Sequence, residues 1–325
     1  MRPEGAHLRI GTRSSTLAVW QTERVRSLLR QSGLETERVE IKTTGDTTPD
    51  VPLARIGSRA LFTKQIDDAL LEGRIDLAVH SLKDLPTQLP GGIAIAAVGA
   101  REDPRDALVG RGPLRWNELS QGAVIATSSL RRRAQILNLR PDVVVVDIRG
   151  NVDSRLVKLD ARAEWTGIML ATAGLVRLGL AQRIGERLPP DLMLPAPGQG
   201  ALAVTVRAED TKVRDLLRRA VHDEASAICV AAERGFLRRL EGGCQVPVAA
   251  YAELEEAPNR ALRLHGRVVS LRGERAVSGH EVGTTLTEAA AAELGTALAE
   301  RLLAEGAAAI LAEVRSASVP AVTEP

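Results

Sequence analysis

Short apolar runs alternate along the chain with stretches of helical periodicity, the pattern of an α/β protein whose strands feed helices. The apolar runs predict strands at Leu8–Ile10, Val39–Thr43, Ile75–Val79, Ile93–Val98, Val124–Ala126, Val143–Ile148, Ile168–Ala171 and Leu202–Val206. Helical spacing predicts helices over Thr16–Leu29, Leu61–Leu71, Leu130–Leu139, Ser154–Ala163 and Val213–Ala220. Within the first helix Leu17, Trp20, Val25 and Leu28 recur at helical intervals and are expected in the core, not in a ligand box. Two breaks interrupt the pattern: the charged, Pro-bearing Arg101–Asp106 and the Pro- and Gly-rich stretch from Leu188 to Gly200. They read as two chain crossings between two α/β lobes, with the strand after 200 rejoining the first sheet and a ligand cleft at the strand C-terminal ends.

From about residue 222 the pattern changes to α+β. A long helix, Glu224–Leu240, leads into Glu241-Gly242-Gly243-Cys244. Strands are expected at Val248–Leu254, Ala261–Val269 and Glu274–Ser278, a helix at Leu286–Leu303, and a last strand at Ala308–Val314. The expected partition is a first lobe of residues 1–101 and 199–220, a second lobe of 104–195, a C-terminal domain of 222–315 and a flexible tail of 316–325.

Length and composition agree with several domains. The chain has 325 residues, 44% hydrophobic and 26% charged, so disorder of the whole is excluded. No apolar run approaches the roughly 20 residues of a membrane span. The N-terminal MRPEGAHLRIGTRSS lacks the apolar core of a secretory signal, and two Cys, Cys229 and Cys244, argue against a disulfide framework. A reducing cytoplasm is the expected compartment. A net charge of +2 and 2% aromatics speak against nucleic acid as a partner. Of the 43 basic residues only five are Lys (42, 64, 83, 158 and 212), a bias that GC-rich codon usage explains in bulk. Individual Arg positions therefore have to be judged by place.

Judged by place, several are unusual. A strand running into a small polar turn with Arg, then a helix, recurs at Gly11-Thr12-Arg13-Ser14-Ser15, at Thr127-Ser128-Ser129-Leu130-Arg131-Arg132-Arg133 and at Arg149-Gly150-Asn151-Val152-Asp153-Ser154-Arg155, with a looser fourth case at Thr172–Arg177. The Ser and Thr are ordinary N-cap residues. A cation in a first helical turn opposes the macrodipole, and a bound anion reverses the sign. Repetition at one edge of two sheets points to a cleft for a polycarboxylate or polyphosphate. In the turn His80-Ser81-Leu82-Lys83-Asp84, Asp84 is expected as a lone carboxylate among many cations, suited to stabilising positive charge on a substrate, or else as a solvated turn residue. Cys244 follows two glycines, so its sulfur is expected on an exposed loop, as a chance surface thiol or as a nucleophile or covalent anchor. Cys229 sits in an apolar helical stretch and reads as an inert buried thiol. No Cys/His spacing suggests a metal site.

Ten ordered blocks, LRIGTRSSTLAVWQ, TTGD, ALFTKQID, DLAVHSLKDLP, REDPRDALV, TSSLRRRAQ, RGNVDSRLVKLD, AGLVRLGL, LPAPGQGA and EGGCQVP, resemble the porphobilinogen deaminase family over about residues 7–315. The resemblance implies an α/β protein of three domains: two lobes like those of periplasmic binding proteins and a smaller α+β C-terminal domain. It implies a dipyrromethane cofactor, held by Cys244 through a thioether and built from the enzyme's own substrate, and a transferase that polymerises porphobilinogen into hydroxymethylbilane for porphyrin and haem biosynthesis. Asp84 is then the catalytic carboxylate. Ser81, Lys83, Asp84, Thr127, Ser128, Ser129, Arg131, Arg132, Gly150 and Arg155 fall at cofactor-binding positions. Arg13, Ser15, Phe62, Arg149, Arg155, Arg177 and Gln199 fall at substrate-binding positions, with no metal. The segment from about Asp46 to Arg59 matches a mobile lid. Arg59 and Ala60 depart from the Lys and Gly that many relatives carry. The implied partner is the small-molecule substrate, with no membrane and a monomeric state.

Two other classes share features with this reading. A carboxylate-binding solute receptor would have the two-lobed cleft, but would carry an export signal and have no use for Cys244. An Arg-driven nucleic-acid binder conflicts with the near-neutral charge.

Overall fold

Leu8 and Ile10 point into the core from β1 (Leu8–Thr12), which runs parallel to β2 (Thr36–Glu40) on one side and β3 (Leu77–Ser81) on the other. A computed structural model describes residues 7–43, 63–240, 246–255 and 260–317. The expected lid, Phe62 and Cys244 lie outside the described residues. α1 (Thr16–Gln31) begins where the Ser15 hydroxyl accepts from the Ala18 amide, and it buries Val25 and Leu29 against the sheet. α2 (Lys64–Leu71) buries Ile66 and Leu70. The first sheet is completed by β4 (Ile93–Val98) at its edge and β10 (Leu202–Arg207), which lies antiparallel between β3 and β4. α6 (Thr211–Val221), capped by Asp210, covers the same face as α1 through Leu217 and Val221.

The chain enters the second sheet as β5 (Asp106–Val109). β6 (Val124–Ala126), β7 (Val144–Val146) and β8 (Gly167–Ala171) follow, then the short β9 (Glu186–Arg187), in the order β7-β6-β8-β5-β9. β6 is parallel to β7 and β8, while β5 is antiparallel to β8 and β9. α3 (Leu130–Leu139), α4 (Val152–Ala161) and α5 (Thr172–Arg177) connect the strands. Each crossing therefore delivers an antiparallel strand into the lobe it enters. The turns after β1, β3, β6 and β7 are left at the carboxyl edges of the parallel strands, where an α/β fold takes its ligand.

The C-terminal domain is a meander of β11 (Val248–Leu254), β12 (Leu262–Val269) and β13 (Ala276–Gly283), covered by α7 (Glu224–Arg239) and α8 (Glu288–Leu302). Phe236 is fully buried at its centre; burying a side chain of that size stabilises by about 1.5–3 kcal/mol. The two helices approach closely because Gly235 and Gly295 face backbone: a Cβ on Gly235 would stand 2.3 Å from the Ala292 carbonyl oxygen, and one on Gly295 2.0 Å from that of Ala232. Among the described residues no helix is long and apolar enough to cross a membrane.

Several expectations are corrected. The segment expected as a strand at Ala308–Val314 is a helix, α9 (Ala308–Ala317), whose Ile310, Leu311 and Val314 turn into the core. An Ala-rich run favours helix, and Gly306 at φ 116° separates it from α8. Ser316 and Ala317 thus belong to α9, and the rest of the expected tail lies outside the described residues. β2 lies N-terminal of the expected Val39–Thr43, because its ladder to β1 starts at Thr36 opposite Leu8. β13 runs on to Gly283 because pairing with β12 extends past the apolar positions. In α1, Trp20 is 37% exposed and Leu17 lines the cleft, so only Val25 and Leu28 of that series belong to the core.

Candidate active site

The turns at the carboxyl edges of both sheets face one cleft of about 990 Å³. Arg13 and Ser15 reach it from the turn after β1, and Ser81, Lys83 and Asp84 from the turn after β3. The second lobe contributes Ser128, Ser129, Arg131, Arg132, Arg149, Gly150 and Arg155. Gln199 enters from the second crossing, and Leu237, Val246 and Val248 from the C-terminal domain. Local chemistry fixes these turns. Ser129 caps α3 by accepting from the Arg132 amide. The Ser128 hydroxyl donates to the Ile148 carbonyl (2.8 Å) and accepts from the Ile148 amide (3.0 Å), stapling the turn after β6 to the one after β7. Gly150 adopts φ 115°, where a Cβ would meet the Ser154 hydroxyl at 2.7 Å, and its carbonyl accepts from Arg155 Nε.

The floor of the cleft is built on Asp106, a fully buried carboxylate at the start of β5. Its Oδ2 accepts from Arg131 Nη1 (2.6 Å); its Oδ1 accepts from Arg131 Nη2 (3.2 Å), Arg132 Nε (3.0 Å), Arg132 Nη2 (2.8 Å) and Gln199 Nε2 (2.8 Å). Burial works against the charged carboxylate, but the two guanidiniums overcome it and hold this carboxyl far below the usual range. Two cations share one anion, so the cluster keeps a net positive charge facing the cleft. Arg131 Nε is buried with no hydrogen-bond partner among the described residues. Gln199 joins the lobes here: its Nε2 also donates to the Pro104 carbonyl, and its Oε1 accepts from Lys83 Nζ at 3.1 Å.

Lys83 is pushed down to about 8, first by burial and then by Arg132, against the pull of Asp84 and Asp106. Arg155 is lowered to about 10 by burial, then by Arg132 and Arg149, with Asp84 opposing. Asp84 ends the helical turn Leu82–Asp84, half-buried, with no hydrogen bond or ion pair among the described residues. Its electrostatic partners are Lys83 and Arg155. His80 is buried, hydrogen-bonded to the Thr205 hydroxyl at 3.1 Å, and pushed down to about 4 by burial and then Arg13, so it is neutral at pH 7.

Most of the expected site residues are brought together. Thr127 and Arg177 are not part of the cleft surface. Thr127 is buried and accepts from the Ser129 amide. Arg177 is 8% exposed, donates to the Gly200 carbonyl and lies over the Trp20 ring at 5.7 Å. It stands in the last turn of α5, where a cation suits the macrodipole, so the argument from opposed dipoles does not apply to it. Nor is Asp84 the lone carboxylate: Asp153 lines the cleft and Asp106 lies beneath the Arg pair. Gln21, His80 and Arg238 also line it. The sequence reading missed Asp106; a charged residue opening a short strand is the signal that could have found this partner for buried Arg. Cys229 is buried on α7 and pushed up to about 12, mainly by burial and then by Glu233, as expected of an inert thiol.

The architecture defines a class: a two-lobed α/β protein with a guanidinium-lined cleft at the carboxyl edges of its sheets and an α+β domain at its side. Residues 8–215 match the model described as porphobilinogen deaminase, dipyromethane cofactor binding domain, and residues 227–304 that described as porphobilinogen deaminase, C-terminal domain. Three proteins named porphobilinogen deaminase are similar over nearly the whole chain. That of Geotalea daltonii is 48% identical over 94% of this chain and 94% of its own. That of Syntrophomonas wolfei is 49% identical over 95% and 99%, and that of Rubrobacter xylanophilus 51% identical over 94% and 97%. The chain belongs to the porphobilinogen deaminase family. Among solved structures, the methionine binding protein MetQ is 14% identical with a TM-score of 0.43, over 66% of this chain and 88% of its own.

Proposed function

We propose that the chain is a hydroxymethylbilane synthase, a transferase that deaminates four porphobilinogen molecules and joins them head to tail on a dipyrromethane primer held by Cys244. The observation that carries this reading is the cleft itself, in which Arg149 and the Asp106-bound Arg pair line the same cavity as Asp84 and its electrostatic partners Lys83 and Arg155. The residues present fit a carboxylate-bearing primer. The floor has excess positive charge, the buried Arg131 Nε lacks a partner, and Val246, two residues past Cys244, lines the cleft. When bound, the primer supplies the free pyrrole carbon that attacks the incoming ring.

The chain's own residues supply charge and position. Arg149 makes no side-chain hydrogen bond or ion pair among the described residues and is available to a substrate carboxylate; Ser15 and Arg13 line the same cleft. At about 4 Å, one such pair is worth roughly 1 kcal/mol in water and about 4 kcal/mol at a partly buried site. Asp84 holds its carboxylate against the positive charge that develops on a pyrrole nitrogen as ammonia leaves. Lys83, tied to Gln199, orients the turn that presents it. Arg177 would engage a growing chain only after leaving Gly200 and Trp20. The same reading takes the enzyme as a cytoplasmic monomer acting on porphobilinogen.

The test is the intact mass of denatured holoprotein. It should exceed the sequence mass by two pyrrole units, and the excess should vanish in Cys244→Ala. Asp84→Asn should keep the fold and lose orders of magnitude in turnover. An unmodified, active protein would refute the reading.

A further inference from the structure

Behind the turn that carries Asp84 lies a second cavity, of about 360 Å³. Its walls are the edge strand β4 from Ile95 to Val98, the end of α6, one face of α7 and the first turn of α8, closed by Leu82 and Thr87. Three guanidiniums line it, from Arg218, Arg234 and Arg238, against one carboxylate, Glu288. Arg218 Nη2 pairs with Glu288 Oε1 at 3.1 Å. Arg234 donates only to the Pro86 and Thr87 carbonyls (2.8 and 3.2 Å), and Arg238 makes no hydrogen bond or ion pair among the described residues. Among the described residues, two positive charges are left without a carboxylate.

A buried donor points the same way. The Val98 amide donates to His222 Nδ1 at 3.4 Å, which leaves the ring proton of neutral His222 on Nε2. That side chain is 9% exposed, and among the described residues its Nε2 has no hydrogen-bond partner; Glu288 Oε1 stands 3.9 Å away. An unmatched buried donor costs about 1–3 kcal/mol, which an acceptor on a ligand would recover. The rest of the wall is apolar, chiefly Ile95, Ala97, Val230 and Ala231.

We propose that this cavity, which adjoins the cleft along Thr87 and Arg238, is a second binding site, for a small organic carboxylate. Its anionic group lies between Arg234 and Arg238, an acceptor atom meets His222 Nε2, and its apolar body rests on Ile95, Ala97 and Val230. Because Arg234 also grips Pro86 and Thr87, an occupant bears directly on the turn that holds Asp84.

Ring-15N-histidine NMR of the holoenzyme, titrated with glutarate, tests this. The chain has only five His, and His80 lines the cleft while His222 lines the second cavity, so the two sites report separately. The expected result is a saturable shift of the His222 Nε2 resonance, identified by its loss in His222→Gln. Ala231→Leu should fill the cavity and abolish that shift while leaving the His80 response and turnover unchanged. Ala289→Leu, at an exposed wall position, should do the same if the first variant fails to fold. A His222 resonance that stays still while His80 saturates would overturn the proposal. So would a His222 shift that shares the His80 midpoint and survives both filling variants. Inorganic phosphate matching glutarate in midpoint and shift would overturn the assignment to an organic ligand.

Discussion

Asp106→Asn keeps the side-chain volume and removes one charge from the floor of the cleft. The carboxylate accepts from Arg131, Arg132 and Gln199, and both guanidiniums are about 5% exposed. Asparagine retains one acceptor and turns an N–H toward donors, so two buried cations face each other with no anion between them. Removing one partner of a buried pair costs about 3–5 kcal/mol. Arg131 and Arg132 border the cleft and can draw water, so the lower end of that range is expected. Trp116 and Trp165 are both buried in the second lobe, and their fluorescence during urea unfolding in a Trp20→Phe background reads its stability. The pH dependence has a definite sign. The folded pKa of Asp106 is depressed below the ordinary 3.8, so its contribution is complete above about pH 4 and is lost as pH falls below that. The gap between wild type and variant should therefore be constant from pH 7 to 5 and shrink by up to about 1.4 kcal/mol per pH unit below 3.8. A loss under about 1 kcal/mol at pH 7, or a gap unchanged at pH 3, would refute the argument.

Three further outcomes are expected. Glu233→Ala removes the buried carboxylate that binds Arg101 and the Gly198 and Ala252 amides, so urea unfolding should register a loss of about 3–5 kcal/mol, part of it restored in Glu233→Gln. Gly235→Ala drives a methyl into the Ala292 backbone and should destabilise the C-terminal domain by about 1–3 kcal/mol, read by hydrogen exchange on α7 and α8. Lys83 loses its charge as pH rises through about 8, so substrate affinity should weaken between pH 7 and 9, and Lys83→Arg should flatten that dependence. Its folded pKa lies below the ordinary 10.5, so the unfolded chain binds more protons between those values and this residue makes stability rise with pH there.

The lobes were legible in the sequence because parallel strands buried on both faces read as continuous apolar runs: Val124–Ala126 coincides with β6, and Ile168–Ala171 lies within β8. β5 and β9 were not, because a four-residue strand opening on Asp106 and a two-residue one carry too few apolar positions to show a period. Ala308–Val314 misled for the opposite reason: a short apolar run reads alike as strand or buried helix. For the site, turn chemistry marked the Ser residues of these turns as N-caps, and Ser15 and Ser129 do cap α1 and α3. What sequence could not reveal was how the Arg residues divide. Arg131 and Arg132 turn onto Asp106 and Arg177 onto Gly200, whereas Arg149 stays in the cleft, and only three-dimensional pairing separates those cases.

The placement of β10 between β3 and β4 bears on how the polypeptide emerges from the ribosome. The second sheet has all its strands once Arg187 is made, but the first still lacks an inner one until Leu202–Arg207 follows. Vectorial synthesis therefore completes the later lobe ahead of the earlier one. During that interval the facing flanks of β3 and β4 are open to non-native pairing, which makes this the stretch of synthesis where a nascent-chain chaperone has most to shield.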